Sequence, residues 1–83
     1  MVVNMYAVRD TLAGIYMPPV LGDSDAAMIR SFGDAVTKGD TPISAHPEDY
    51  TLEKIGSFDK ESGMVVSCPI HVLCHGSDFM KDK

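Results

Sequence analysis

The sequence has no long hydrophobic run. No apolar stretch in its 83 residues approaches the roughly 20 residues that a membrane-spanning helix needs. The start, MVVNMYAVRD, lacks the charged segment that precedes the hydrophobic part of a signal peptide. We therefore expect no membrane partner and a place in a reducing cytosol, where the two cysteines remain thiols.

The chain is also poor in positive charge. It has 7 Lys and Arg against 12 Asp and Glu, a formal net charge of −5. Nucleic-acid affinity depends on cations that cluster against phosphates, and an anionic membrane surface attracts the same kind of cluster. The composition therefore disfavours strong binding of either by a single copy, since the cations are scattered: Arg9, Arg30, Lys38, Lys54, Lys60, Lys81 and Lys83.

Small size limits the core that this chain can build. A domain of this length buries only about 60–65% of the surface that its unfolded chain exposes. The two cysteines do not make a disulfide framework, and burial against a partner is another common source of stability. The hydrophobic fraction of 45% is normal for a folded domain. We therefore expect one folded domain that forms a homo-oligomer.

The first part of the chain predicts a β-hairpin. Residues 2–17 contain two runs of β-branched and aromatic residues around a loop that includes Gly14. On the first strand Tyr6 and Val8 share one face. Pro18 and Pro19 have no backbone N–H, so the strand stops there or lies at a sheet edge.

A helix follows, over approximately residues 24–38. Asp23 or Ser24 can cap its first N–H groups, and Gly39 suits its end. Arg30 lies on the solvated side. Gly33 marks either a close approach between helix and sheet or a tolerated surface glycine. The helical apolar stripe consists of Ile29, Phe32 and Val36.

A second hairpin is predicted over residues 50–67. Residues 50–58 alternate between apolar and polar, with a change of phase near Gly56 that suggests a bulge. A polar turn ends at Gly63, and residues 64–67 form a short returning strand, which Pro69 interrupts.

These elements predict an α+β fold. The sheet is antiparallel, has about four strands from two hairpins in the order β-β-α-β-β, and packs on one amphipathic helix. We assign residues 1–67 to this domain. Residues 68–83 form an apolar C-terminal tail that docks on the domain or on a neighbouring subunit. Its candidate contact residues are Ile70, Val72, Leu73 and Phe79.

The tail also holds the residues best suited to a metal. Cys68, His71, Cys74 and His75 are thiol and imidazole groups of the kind that bind zinc. Structural zinc sites usually take their ligand pairs from two separate segments, and binding one ion here would expose the apolar residues between these four. We therefore predict no metal and keep a zinc-stabilised tail as the alternative.

No group of residues predicts catalysis. A Cys–His nucleophile pair would need an oxyanion hole and a cleft, for which so small a domain has little room. None of the glycines has the spacing of a phosphate-binding loop. We therefore expect a binding protein with no cofactor.

Tyrosines on the predicted strands are candidates for contact with nucleic acid. Single-strand binders combine cations with aromatic rings that stack on bases. Tyr6, Tyr16 and Tyr50, with Arg9 and Lys54, could supply such a surface. Alternatively, the tyrosines pack in the sheet and keep their hydroxyls in water, and the spacing alone favours packing.

Several segments resemble a known family. They are MYAVRDTLAGIYMPP, the helix DAAMIRSFGDAV, then HPEDYTLEKIGSFDKESG, and GSDF near the end. Together they resemble the small nonstructural proteins of gokushovirus-type microviruses, which are single-stranded DNA phages. The resemblance runs from about Tyr6 to Phe79 and is most specific at residues 46–50.

The resemblance implies a role in phage genome replication, in the host cytoplasm and outside the virion. The partner would be single-stranded DNA or a replication protein, during the switch to single-strand synthesis; the alternative is an interaction adaptor with no DNA contact. The family brings no catalytic residues. Arg30, on the polar side of the matching helix, is the leading surface candidate. The candidate DNA-binding residues are Arg9, Arg30, Lys38, Lys54, Tyr6 and Tyr50.

Overall fold

The computed structural model describes residues 1–80. The last three residues of the predicted tail, which include Lys81 and Lys83, lie outside the described residues. Within that range the predicted α+β fold is confirmed: an antiparallel sheet packs on one main helix. No helix in residues 1–80 is long and apolar enough to cross a membrane. The elements are β1 Val2–Asp10, β2 Ile15–Tyr16, β3 Val20–Gly22, α1 Asp25–Thr37, α2 Pro42–Ala45, β4 Tyr50–Asp59 and β5 Val65–His75.

The sheet has β1 and β4 at its centre and runs in the order β2-β1-β4-β5. The two predicted hairpins are therefore present. The structure adds a strand that we did not predict, because β3 also pairs with β1, beside β2. The two prolines explain why β2 and β3 are separate strands. Pro18 and Pro19 cannot donate hydrogen bonds to β1, so this edge of the sheet is split into two short strands.

A bulge confirms the change of phase expected near Gly56. Met5 pairs with Gly56 and Tyr6 pairs with Lys54, which leaves Ile55 as the extra residue on β4. Gly56 is required here for space, because a Cβ at this position would clash with the carbonyl oxygen of Val66. The bulge shifts the alternation of side chains along β4, so different residue positions face the helix before and after Ile55.

Helix α1 begins where capping chemistry predicts. The Ser24 side chain accepts a hydrogen bond from the backbone N–H of Ala27 at 3.1 Å. Gly33 is buried at a close approach, but its neighbour is not the sheet. A Cβ there would lie 2.6 Å from the ring of Phe79, which belongs to the 3-10 turn Gly76–Phe79 after β5.

The core lies between α1 and one face of the sheet. Side chains alternate across a strand, so Tyr6, Leu52 and Cys74 face the helix together. Phe32 and Val36 of the predicted stripe meet them and are buried. The neighbouring positions in the sheet, which include Arg9 and Glu53, therefore project from the opposite face, which we call the open face.

The returning strand is longer than predicted. We expected it to end at Ser67, but β5 continues to His75, so the predicted boundary between residues 67 and 68 falls inside a strand. Pro69 does not end the strand because it lies in a second irregularity, between the pairs Lys54–His71 and Gly56–Ser67. An edge strand can hold a proline at such a bulge.

Candidate interaction surface

A polar cluster occupies the open face near the end of β1. Arg9, Tyr16 and Thr51 are cross-strand neighbours. The Tyr16 hydroxyl donates to Glu53 Oε1 at 2.7 Å, and the Thr51 hydroxyl donates to Glu53 Oε2 at 2.8 Å. Glu53 is only 4% exposed, and a buried carboxylate needs such donors. The cluster therefore holds both Tyr16 and Glu53 in fixed positions.

Arg9 lies over the ring of Tyr16. Its guanidinium carbon is 5.2 Å from the ring centroid, within cation–π range, and its Nη1 donates to the Tyr16 hydroxyl at 3.4 Å. The hydrogen bond to Tyr16, with a smaller contribution from the Glu53 carboxylate, raises the pKa of Arg9. The pair therefore presents a permanent cation beside an aromatic ring that is 38% exposed.

The other two tyrosines do not offer a platform for bases. Tyr6 is completely buried, and its hydroxyl donates to Asp25 at 2.6 Å, so its assignment to a DNA-binding surface is wrong. Burial, followed by the hydrogen bond to Asp25, raises the pKa of Tyr6. Tyr50 is half-buried against the core on the helix side. Tyr16, which packs with Arg9, is the tyrosine that remains accessible.

The predicted cations do not share a surface. Arg30 and Lys38 are exposed in the helical layer, whereas Arg9 is on the open face. Lys54 points to the helix side, where its Nζ lies 3.1 Å from Asp25 Oδ2. The hydrogen bond from Tyr6, and then that from Lys54, lower the pKa of Asp25. One copy of the chain therefore has no basic groove formed by these four residues.

Strand β5 forms the edge of the sheet opposite β2 and β3. It is 11 residues long and contains no Asp, Glu, Lys or Arg. Natural proteins commonly protect an edge strand with charges, short length, prolines or bulges, and of these β5 has only Pro69 and the bulge around it. Several of its apolar side chains are exposed: Val65, Val66, Ile70 and Val72.

The predicted contact residues divide into two pairs. Ile70 and Val72 are 58% and 41% exposed. Leu73 and Phe79 instead pack on the core of their own domain, and the Phe79 ring lies edge-on to Phe32 with a centroid distance of 6.1 Å. The end of β5 and the turn after it therefore fasten this edge to α1.

The four Cys and His residues of the zinc alternative do not assemble into a site. Cys68 and Cys74 are six positions apart on the strand, up to about 20 Å. Cys74 is buried on the helix side and His75 is exposed. Burial, followed by the charge of Asp78, raises the pKa of Cys74 to about 11. Extended chain spreads these side chains along β5, so the sequence cluster does not become a spatial one.

A different group in residues 1–80 does bring metal-binding residue types together. The ligand atoms of His46, Glu48 and Asp49 all lie within 4.8 Å of one another. They stand on the 3-10 turn Pro47–Asp49, and Thr11 donates its backbone N–H to the carbonyl of Asp49 at 2.8 Å. His46 and Glu48 are exposed. Sequence spacing does not predict that these three side chains converge.

An apolar groove of about 260 Å³ lies between α1 and the split edge of the sheet. Its walls include Val8, Met17, Val20, Met28 and Phe32. Ser31 is the only one of its lining residues with a polar side chain. The groove therefore supplies space for an apolar group and no acid–base pair for a reaction.

Comparison with known proteins gives a family and no closer relative. No curated protein and no solved structure matches the chain. A family model described as Phage ORF5 protein matches residues 3–79, which is nearly the whole of the fold described above. The chain is therefore a phage protein and belongs to the Phage ORF5 protein family.

Proposed function

We propose that this phage protein acts in replication of the viral genome by binding single-stranded DNA on the open face of its sheet. The observation that carries the proposal is the contact between Arg9 and Tyr16. A guanidinium can bind a phosphate while the neighbouring ring stacks on a base. The resemblance to microvirus nonstructural proteins supports the setting: the host cytoplasm, outside the virion, during the switch to single-strand synthesis.

The charge of the chain sets the strength and the salt dependence of this binding. A net charge of −5 opposes the approach of DNA, and Glu53 lies directly beside the proposed site. We therefore expect a weak complex for one copy, with a dissociation constant in the range of about 1–100 μM at low salt. No catalytic step is assigned to the protein.

The test compares two arginines on different layers of the molecule. Arg9→Gln should weaken binding of a fluorescent single-stranded oligonucleotide by about tenfold in an anisotropy titration at low salt, because it removes a charged donor at the site. Arg30→Gln is the matched control, since it removes the same charge from the helical layer, and its affinity should stay within about twofold of the original.

Two results would sink the proposal. The first is the absence of any salt-sensitive binding by the unmodified protein at about 100 μM. The second is the reverse order of the variants, with Arg30→Gln losing affinity and Arg9→Gln keeping it. That order would assign the DNA to the helical layer, where Arg30 and Lys38 lie.

A second candidate function has its own supporting observation. The uncharged edge of β5 can accept a strand from another protein, which is a common mode of peptide recognition. The protein would then be an adaptor that holds a replication protein without touching DNA. For this function, a replication protein recovered from infected cells should be lost on Ile70→Lys and kept on Arg9→Gln.

A further inference from the structure

We propose that β5 is an interface between two copies of this chain. The two β5 strands pair antiparallel across a two-fold axis, so that one sheet continues through the dimer. This inference goes beyond the proposed function and does not depend on DNA. The strand that binds to the β5 edge is then β5 of a second copy and not a foreign peptide.

The backbone of β5 supplies the hydrogen-bonding groups. The N–H of Asp59 donates to the carbonyl of Met64 at 2.9 Å, which begins the ladder between β4 and β5. Bonding residues alternate along an antiparallel pair. Val65 and Ser67 therefore direct their N–H and C=O groups away from β4, toward the space beyond the edge. A second strand placed there would complete these bonds.

The side chains of β5 suit a copy of themselves. In an isologous interface each patch meets its own kind, so any charge on β5 would face a like charge. The chain carries a net charge of −5, yet residues 65–75 contain no formal charge other than that of a protonated histidine. Repulsion that opposes self-association over most of the surface is therefore small along this strand.

The monomer also leaves a large apolar surface in water. Eight hydrophobic residues form its buried core, whereas fourteen large hydrophobic residues are exposed among those described. Five of the exposed residues lie along or next to β5: Met64, Val65, Val66, Ile70 and Val72. Together they present an area on the order of several hundred Å², and a stable interface buries about 800 Å² per partner. The backbones of the two strands, paired on either side of Pro69, supply further contact area.

Dimerisation would also enlarge the open face that carries Arg9 and Tyr16. A two-fold axis perpendicular to the sheet keeps both open faces on the same side. Two Arg9–Tyr16 pairs would then lie on one continuous surface, where a single DNA strand could contact both and gain avidity. This consequence rests on the proposed function, whereas the dimer itself is tested without DNA.

The test uses two isoleucines with nearly equal exposure on opposite edges of the sheet. Ile70 on β5 is 58% exposed and Ile15 on β2 is 60% exposed. By sedimentation equilibrium, the unmodified protein should approach twice the 9.0 kDa mass of one chain as its concentration rises. Ile70→Lys should raise the dimer dissociation constant by at least about tenfold. Ile15→Lys should leave it unchanged.

A second variant tests the backbone without adding charge. Ser67→Pro removes one outward N–H, which an edge strand tolerates, and should also dissociate the dimer while circular dichroism stays unchanged. In the unmodified protein, hydrogen exchange at Ser67 should slow as the concentration rises. A mass that remains at 9.0 kDa up to about 100 μM, or an equal effect of Ile15→Lys and Ile70→Lys, overturns the proposal. Binding of a foreign peptide by a strictly monomeric protein overturns it too.

Discussion

The two edges of this sheet are built differently. On one side β2 and β3 have two and three residues, and Pro18 and Pro19 separate them. On the other side β5 runs for 11 residues. Short strands and prolines are the usual protection against unwanted strand pairing. The split edge therefore has both protections. The long edge has only Pro69, at a bulge, and the uncharged backbone on either side of that proline can bind another strand.

Both edges are fastened to the same helix, but by contacts of different kinds. Gly22, at the end of β3, lies so close to Met28 that a Cβ there would be 2.7 Å from the sulfur atom. Beyond β5, Phe79 packs against Phe32 and Gly33. The long edge is thus held by a rigid aromatic contact and the short one by a flexible methionine. A rigid edge loses less conformational freedom when it binds a partner.

The largest expected effect comes from releasing these contacts. Phe79→Ala should lower the free energy of unfolding by about 2–3 kcal/mol, because a partly buried aromatic ring and its pairing with Phe32 are lost. Met28→Ala, the matched change at the other edge, should cost about 1–2 kcal/mol. Urea denaturation of both variants measures the difference. A larger loss for Met28→Ala would show that the split edge is the better anchored one.

A change at the prolines should remove the difference between the edges. Replacing Pro18 and Pro19 together with valine restores two backbone donors between β2 and β3, so this edge becomes competent to pair. We expect species larger than a dimer in light scattering at concentrations where the original protein is homogeneous. Pro42→Ala, at the start of α2, is the control and should add no such species. Unchanged light scattering after the double replacement would mean that side chains, and not prolines, protect the edge.

The smallest effect concerns the contact that joins α1 to the middle of the sheet. The pKa of Asp25 is lowered, mainly by the hydrogen bond from Tyr6 and then by Lys54. A lowered pKa in the folded state stabilises the protein above the unfolded pKa, near 3.9, and this contribution disappears as the pH falls through the folded pKa. Because the Asp25 side chain is 39% exposed, its contribution should be below about 1 kcal/mol.

Asp25→Asn isolates this contribution. At pH 7 the variant should be slightly less stable than the original protein in urea denaturation, and the difference should shrink as the pH falls below about 4. A difference that stays constant over this range would mean that packing of the side chain, and not its charge, stabilises the contact.

Local chemistry predicted much of the fold. A capping side chain at Ser24, an apolar stripe through Phe32 and a change of phase near Gly56 each act within a few residues, so the helix and the bulge were correctly predicted. The extent of β5 was not correctly predicted, because a proline usually ends a strand unless it lies in a bulge. Whether Pro69 lies in a bulge depends on the pairing of β5 with β4. Likewise, β3 exists only because β1 offers it a partner.

The candidate site depended more on the tertiary structure. All three tyrosines lie on strands, and periodicity assigned Tyr6 to a face without saying which face the helix would cover. Packing on α1 buried Tyr6 and left Tyr16 beside Arg9. In the same way, four Cys and His residues that are close in sequence were separated by strand geometry, whereas His46, Glu48 and Asp49 converged on a turn.

By itself the sequence determined the α+β architecture, the positions of the helix and hairpins, and the low positive charge that any binding must overcome. These features follow from backbone propensity, hydrophobic period and composition, which are local or additive. Only the tertiary structure decided which face of the sheet stays open, which edge is exposed and which side chains meet there. Those features depend on contacts between residues far apart in the chain, such as Phe79 with Gly33 and Tyr16 with Glu53.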